Sequence, residues 1–115
     1  MIKRKSDMNS ELKVNMRGGD GQVLVTKLLE KGEYKGSARL AATLTLEKGC
    51  SIGEHLHENE EEIFLVISGT AEYNDNGEAV TIYPGDCCIC TGGQKHSIRN
   101  NNDEALVVGA FILQY

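Results

Sequence analysis

"GCSIGEHLHENEEEIFLVISG", Gly49 to Gly69, sets two histidines two residues apart, follows them with four glutamates and closes in an apolar run. Residues two apart on a strand point to one face, so the imidazoles of His55 and His57 are expected side by side. Glu62 differs from His57 in parity. The polar "ENEE" between them must therefore contain a turn or bulge before that carboxylate can join the same place. "EIFLVISG" reads as a short buried strand stopped by Gly69. Glu58, Glu60 and Glu61 read as a solvated acidic rim that draws cations inward, with Glu61 the alternative to Glu62 as a ligand.

A second stretch, "GDCCICTGGQKHSIRN" from Gly85 to Asn100, contains the third and last histidine of the chain, His96. Three neutral imidazoles and one carboxylate make a mixed nitrogen and oxygen set suited to a divalent first-row ion such as Mn, Fe, Co, Ni or Zn. On a six-coordinate ion, four such ligands leave two positions for water, dioxygen or a bidentate oxygen ligand. Asn100 is expected to order a turn or the His96 strand. Glycines 49, 69, 85, 92 and 93 are expected to supply turns with positive φ.

Around these stretches the pattern is strand and turn. "ARLAATLTLEKG" alternates, with Leu40, Ala42, Leu44 and Leu46 on one face, and stops at Gly49. "TAEYNDNGEAVTIYPGD" reads as a hairpin around "NDNG". "CCIC", "KHSI" and "EALVVGAFILQY" complete the set. The best helix candidate, "VLVTKLLEKG", is short and rich in β-branched residues, and a strand is at least as good a reading. Several short strands with close turn signals predict an all-β, antiparallel sandwich or barrel with few or no helices. A single domain is expected, with residues 1–37 as an N-terminal arm and edge strands and 38–115 as the barrel core.

At 115 residues the chain can bury one core without staples. A net charge of −5, with "KRK" at Lys3–Lys5 as the lone basic cluster, argues against nucleic acid as a partner. No apolar run approaches the ~18 residues of a membrane span. No h-region follows the basic start, so a cytoplasmic protein made without a signal peptide is expected. Of four cysteines, Cys87, Cys88 and Cys90 crowd into one strand, where neighbours face apart, and reduced thiols are expected. In "IFLVI" and "ALVVGAFIL" both strand faces are apolar, which predicts a homodimer covering one of them.

The two stretches resemble the paired motifs of the cupin family. The first is a glycine, five residues, H-x-H, three or four residues, a glutamate, six residues and a glycine. Gly49–Gly69 fits it at every fixed position, with four residues between His57 and Glu62. The second is a glycine, five residues, P-x-G, two residues, a histidine, three residues and an asparagine. Gly85–Asn100 fits apart from Thr91, which stands in the proline position and is expected to loosen that turn. The fifteen residues from Thr70 to Pro84 match the short spacer of small microbial cupins.

The resemblance implies a double-stranded β-helix, or jelly roll, with one metal held by His55, His57, Glu62 and His96 inside the barrel mouth. It implies a metal-dependent enzyme acting on a small oxygen-rich molecule, of the dioxygenase or decarboxylase kind. The alternatives are a non-catalytic small-molecule binding or sensing module and a sugar or sugar-phosphate isomerase. The motif region offers only Lys48, Lys95 and Arg99 as cations, which counts against the isomerase. Arg39, Tyr73, Tyr83, Gln94, Arg99 and the cysteine thiols are the candidates for groups assisting chemistry at the metal.

Overall fold

A computed structural model describes residues 1–115. Ten strands run in order: β1 (Ser10–Val14), β2 (Gln22–Leu29), β3 (Ala38–Leu46), β4 (Ser51–Leu56), β5 (Glu60–Ser68), β6 (Ala71–Asp75), β7 (Glu78–Ile82), β8 (Cys87–Cys90), β9 (Lys95–Arg99) and β10 (Leu106–Gln114). All pairings are antiparallel, in a six-stranded sheet ordered β1-β2-β3-β10-β5-β8 and a four-stranded sheet ordered β4-β9-β6-β7. The only helical pieces are 3-10 turns at Lys5–Asp7 and Met16–Gly18. No helix is long and apolar enough to cross a membrane.

The two sheets face each other across one core. Alternation puts Ala42, Leu44 and Leu46 of β3, Val23 and Val25 of β2, and Val108 and Ala110 of β10 inward, where all are buried. Ile52, Tyr73 and Ile98 meet them from the smaller sheet. "VLVTKLL" is therefore a strand. It pairs with β3 over most of its length, and tertiary pairing outweighs its modest helical propensity. β1 and β2 precede Ala38 and extend the edge of the larger sheet, with Leu12 and Val14 of β1 exposed.

Turn chemistry follows the sequence closely. β6 and β7 are joined by Asn76 and Gly77, at φ 49° and 101°, the double left-handed turn that Asn-Gly favours. Asn100 is fully buried and its amide nitrogen donates to the carbonyls of Leu46 and Glu104, while its oxygen accepts from the Asn102 amide. It orders the β9–β10 turn. Gly49, Gly69, Gly85 and Gly93 have positive φ, but Gly92 does not. Gly92 instead donates its backbone N–H to the Tyr115 hydroxyl at 2.9 Å.

Thr91 does not loosen its turn. Its backbone N–H and its hydroxyl both donate to the Gln94 side-chain oxygen, at 3.1 and 3.0 Å. A proline could supply neither bond. All four cysteines are unpaired, with Cys87 exposed and Cys90 buried on opposite faces of β8.

Candidate metal site

His55 on β4 and His96 on β9 are direct cross-strand partners in the smaller sheet. His57 lies one residue beyond the end of β4, and its backbone is pinned to the β8–β9 turn. Its N–H donates to the Gln94 carbonyl, and its carbonyl accepts from the Gly93 N–H. The parity change before Glu62 is made at Asn59, which takes a left-handed φ of 57°. β5 then starts in the opposite sheet with Glu60 and Glu62 on its inner face. Glu62 is 5% exposed, whereas Glu61 is registered with Leu113 on the outer face. That places Glu62, not Glu61, with the histidines.

The ligand-type atoms of His55, His57, Glu62 and His96 all lie within 4.8 Å of one another, a group that could hold a metal ion. The Nε2 atoms are separated by 3.1 Å (His55–His57), 3.0 Å (His57–His96) and 3.1 Å (His55–His96). Glu62 Oε1 stands 3.1 Å from His57 Nε2 and 3.0 Å from His96 Nε2, but 3.8 Å from His55 Nε2. With metal–ligand bonds of about 2.1 Å, neighbouring ligands lie about 3.0 Å apart on an octahedron and about 3.4 Å apart on a tetrahedron. The five short separations match octahedral edges, and the residues fit a six-coordinate ion.

The proton positions point the same way. His55 Nδ1 is 2.8 Å from the Gly53 carbonyl, which can only accept, so Nδ1 carries the proton and Nε2 is a bare lone pair. His57 Nδ1 donates to Glu60 Oε2 at 2.6 Å with the same consequence. His96 Nδ1 is 2.9 Å from the Tyr73 hydroxyl, and that oxygen can accept its proton. Lone pairs facing one another at these distances repel unless a cation lies among them. Partners of this kind beyond the ligands fix ring orientation and tautomer in metal sites.

Glu60 is held on its other side by Arg39, whose Nε and Nη2 reach both carboxylate oxygens at 2.9 and 2.7 Å. Hydrogen bonding to Arg39, reinforced by His57, brings the Glu60 pKa down to about 2. Burial disfavours ionisation of Glu62, but when no metal is bound a protonated imidazole can donate to it through Nε2, and such bonds from His55, His57 and His96 outweigh burial and keep the acid well below its usual range. The Glu62 hydrogen bond raises the His57 pKa against the effect of burial, with Glu60 adding to it. For His96, burial prevails and lowers it. Phe64 stacks on the His96 ring at 5.1 Å and 12°, closing the inner side of the site.

A cavity of ≈240 Å³ opens over His55, His57 and Glu62. Of the other residues singled out in the sequence, Arg39 lines it and Tyr73 supports His96. Three are not brought to it. Tyr83 is 57% exposed in the β7–β8 turn. Gln94 staples Thr91. Arg99 binds Asp20 and Asn101 on the outside. Burial pushes the Cys88 and Cys90 thiols up to about 11, which keeps both protonated. The cavity's cations, Lys13, Arg17, Lys27 and Arg39, come from the N-terminal third of the chain instead. Glu60, expected on a solvated rim, is a partner of His57. Its i, i+2 spacing from Glu62 was the available signal, because it puts both on one strand face.

Two sheets closed into a double-stranded β-helix, with three histidines and a glutamate converging between them into a group that could hold a metal ion, define a barrel of the jelly-roll class. Residues 42–112 match the family model described as "Cupin domain", and the chain belongs to the cupin family. It is 40% identical, over 98% of its length and 93% of the relative's, to a Thermotoga maritima protein named "Oxalate-binding protein". Among solved structures it superposes with a TM-score of 0.95 and 39% identity, over the whole of both chains, on a "predicted oxalate decarboxylase" of Thermotoga maritima. KdgF from Halomonas sp. shares the fold, with a TM-score of 0.76 at 16% identity over 100% of this chain and 96% of that one.

Proposed function

We propose that the chain holds one divalent first-row metal ion through His55, His57, Glu62 and His96, and binds oxalate or a similar small carboxylic acid on it. The observation that carries this reading is the convergence of histidine lone pairs whose protons are committed to Gly53 and Glu60 on the far sides of the rings. The names of the two Thermotoga maritima relatives supply the oxalate. The bound ion would act as a Lewis acid toward carboxylate oxygens. The residues around it do the rest: Glu60 and Tyr73 hold the imidazoles in place, Phe64 excludes water from the inner side, and Arg39 adds positive charge at the mouth.

Metal-dependent turnover of that acid, by decarboxylation or with dioxygen, is the enzymatic form of this reading. Simple binding is the second form. It is favoured by the scarcity of proton donors over the metal, since Arg39 stays ionised and Tyr73 is turned toward His96. Loading the chain with manganese or iron and following carbon dioxide release and oxygen uptake on oxalate separates the two. Product formation that disappears in His57→Ala establishes the enzyme. Tight oxalate binding with no product establishes the binding protein. An isomerase of phosphorylated sugars would bind such esters in preference to oxalate.

The same reading includes a homodimer in the reducing cytoplasm. Outward residues of three neighbouring strands form registered apolar rows, Ile89–Ile63–Phe111 and Cys87–Leu65–Gly109. Leu65, Ile67, Ile89 and Leu113 stay 41%, 51%, 47% and 40% exposed. An exposed apolar face of this kind suits a two-fold contact with a second copy.

A further inference from the structure

The cavity runs past the histidine cluster to a wall lined by Lys13, Arg17, Lys27 and Arg39, with Glu11 among them. Oxalate has two carbons, both used in chelation, and would leave much of the ≈240 Å³ unfilled. That volume still lies below the roughly 300–1,000 Å³ that takes a drug-sized ligand, so the fitting class is small acids. Lys27, Arg39 and Leu40 also border a second hollow of ≈230 Å³ that continues toward Lys31 and Tyr34.

Two of the four cations on the lining are already engaged. Arg39 holds Glu60, and Lys13 lies 3.4 Å from Glu11. Arg17 and Lys27 have no anionic partner in the chain. Both are placed by the fold. Lys27 pairs with the buried Ala42, shares the inner face of β2 with Val23 and Val25, and lines the cavity.

Arg17 is held in a left-handed conformation, φ 54°, as is Asn15 at φ 51°. Such backbone persists in a non-glycine residue when its surroundings over-determine it, and it concentrates at functional sites. Here the surroundings are glycines. A Cβ on Gly53 would collide with the Arg17 carbonyl oxygen, and one on Gly19 would lie 2.8 Å from the Gly53 nitrogen. The Asn15 side chain closes the turn by donating to the Gly19 carbonyl at 3.0 Å. Gly53 is also the residue whose carbonyl orients His55. One close contact thus positions both a metal-type histidine and the arginine at the lip above it.

We propose that Arg17 and Lys27 form an anion subsite separate from the histidine cluster. The ligand it selects is a two-headed acid, with a chelating oxygen group at the metal and a second carboxylate between these two cations. An arginine fork and a lysine are matched to a carboxylate, which gains charge-assisted hydrogen bonds from both. This rests on the reading that a small acid binds at the cluster.

The test uses the full chain loaded with manganese and titrated calorimetrically with lactate, malate and oxalate. Lactate and malate share the 2-hydroxy acid chelating end, and malate alone carries the second carboxylate. The wild type is expected to bind malate at least tenfold more tightly than lactate. Arg17→Asn, which keeps a residue tolerant of the left-handed turn, and Lys27→Met should each reduce that preference, and the double variant should abolish it. Lactate affinity and manganese content should stay unchanged, and Arg17→Lys should restore part of the preference. Equal binding of malate and lactate by the wild type, or a preference that survives the double replacement, overturns the subsite while leaving the metal-site reading intact if oxalate still binds. Failure of all three acids to bind to the manganese-loaded chain overturns the reading that a small acid binds at the cluster, and the subsite with it.

Discussion

Glu60 accepts the Nδ1 proton of His57 at 2.6 Å while Arg39 grips both of its oxygens. A three-residue chain, Arg39–Glu60–His57, therefore runs from the cavity wall to a metal-type nitrogen. An ionised carboxylate here fixes the His57 tautomer and makes its Nε2 a stronger donor. Replacing Glu60 with alanine should weaken metal binding by about 10- to 100-fold. Gln, which keeps an acceptor but no charge, should weaken it less. Competition against a fluorescent chelator gives the affinities, and unchanged affinity in Glu60→Ala would remove this role.

Acid should act on the site in a defined direction. Glu62 and Glu60 hold the His57 pKa above its ordinary 6.5, so a proton competes with metal at higher pH than for a free histidine. Metal affinity should rise with pH through this range, with protons released on binding, measurable by calorimetry in buffers of different ionisation enthalpy. The metal-free fold carries a second acid dependence. Glu60, lowered from 4.5 to about 2, contributes stability that is present above pH 4.5 and is lost as pH falls toward 2. Glu60→Gln should flatten that part of the stability curve.

The thiols should divide by burial. Cys87 is exposed, Cys50 and Cys90 are buried, and burial holds Cys88 and Cys90 protonated at neutral pH. A thiol reagent should label Cys87 rapidly in a monomeric variant such as Leu65→Lys, more slowly in the wild-type dimer that covers it, and all four cysteines after unfolding, with none missing to a disulfide.

The outer face of the larger sheet should report the assembly. Sedimentation is expected to give twice the chain mass of 12.6 kDa. Leu65→Lys or Ile67→Lys, at positions 41% and 51% exposed in the single chain, should yield monomers that keep their metal. A wild-type monomer at micromolar concentration would contradict the dimer.

Much of this was legible in the sequence because alternation and spacing are local properties. The inward set Ala42, Leu44 and Leu46, the Asn76–Gly77 hairpin and the pairing of His55 with His57 follow from period-two geometry and one turn, while the addition of Glu62 and His96 came from the resemblance to the cupin motifs. What depended on tertiary placement was not legible. Glu60 looked like one more solvated acid until the Asn59 turn brought it back onto His57. The cations were sought near the motifs, but Lys48 pairs with Asp103 and Arg99 with Asp20 on the surface. Of those at the cavity, Lys13 and Arg17 sit in the first ~20 residues, where the sequence has little periodicity and β1 and its turn border the cavity, and Lys27 lies on β2, in the run that also read as a helix candidate.

The most direct test of the central claim is the metal content and oxalate affinity of the chain purified without a nickel column, alongside His57→Ala. The account predicts one metal ion per wild-type chain, oxalate binding that needs this metal, and loss of both in the variant with its sheet spectrum unchanged. Metal retained in full by His57→Ala, or oxalate bound equally by metal-stripped protein, would contradict it.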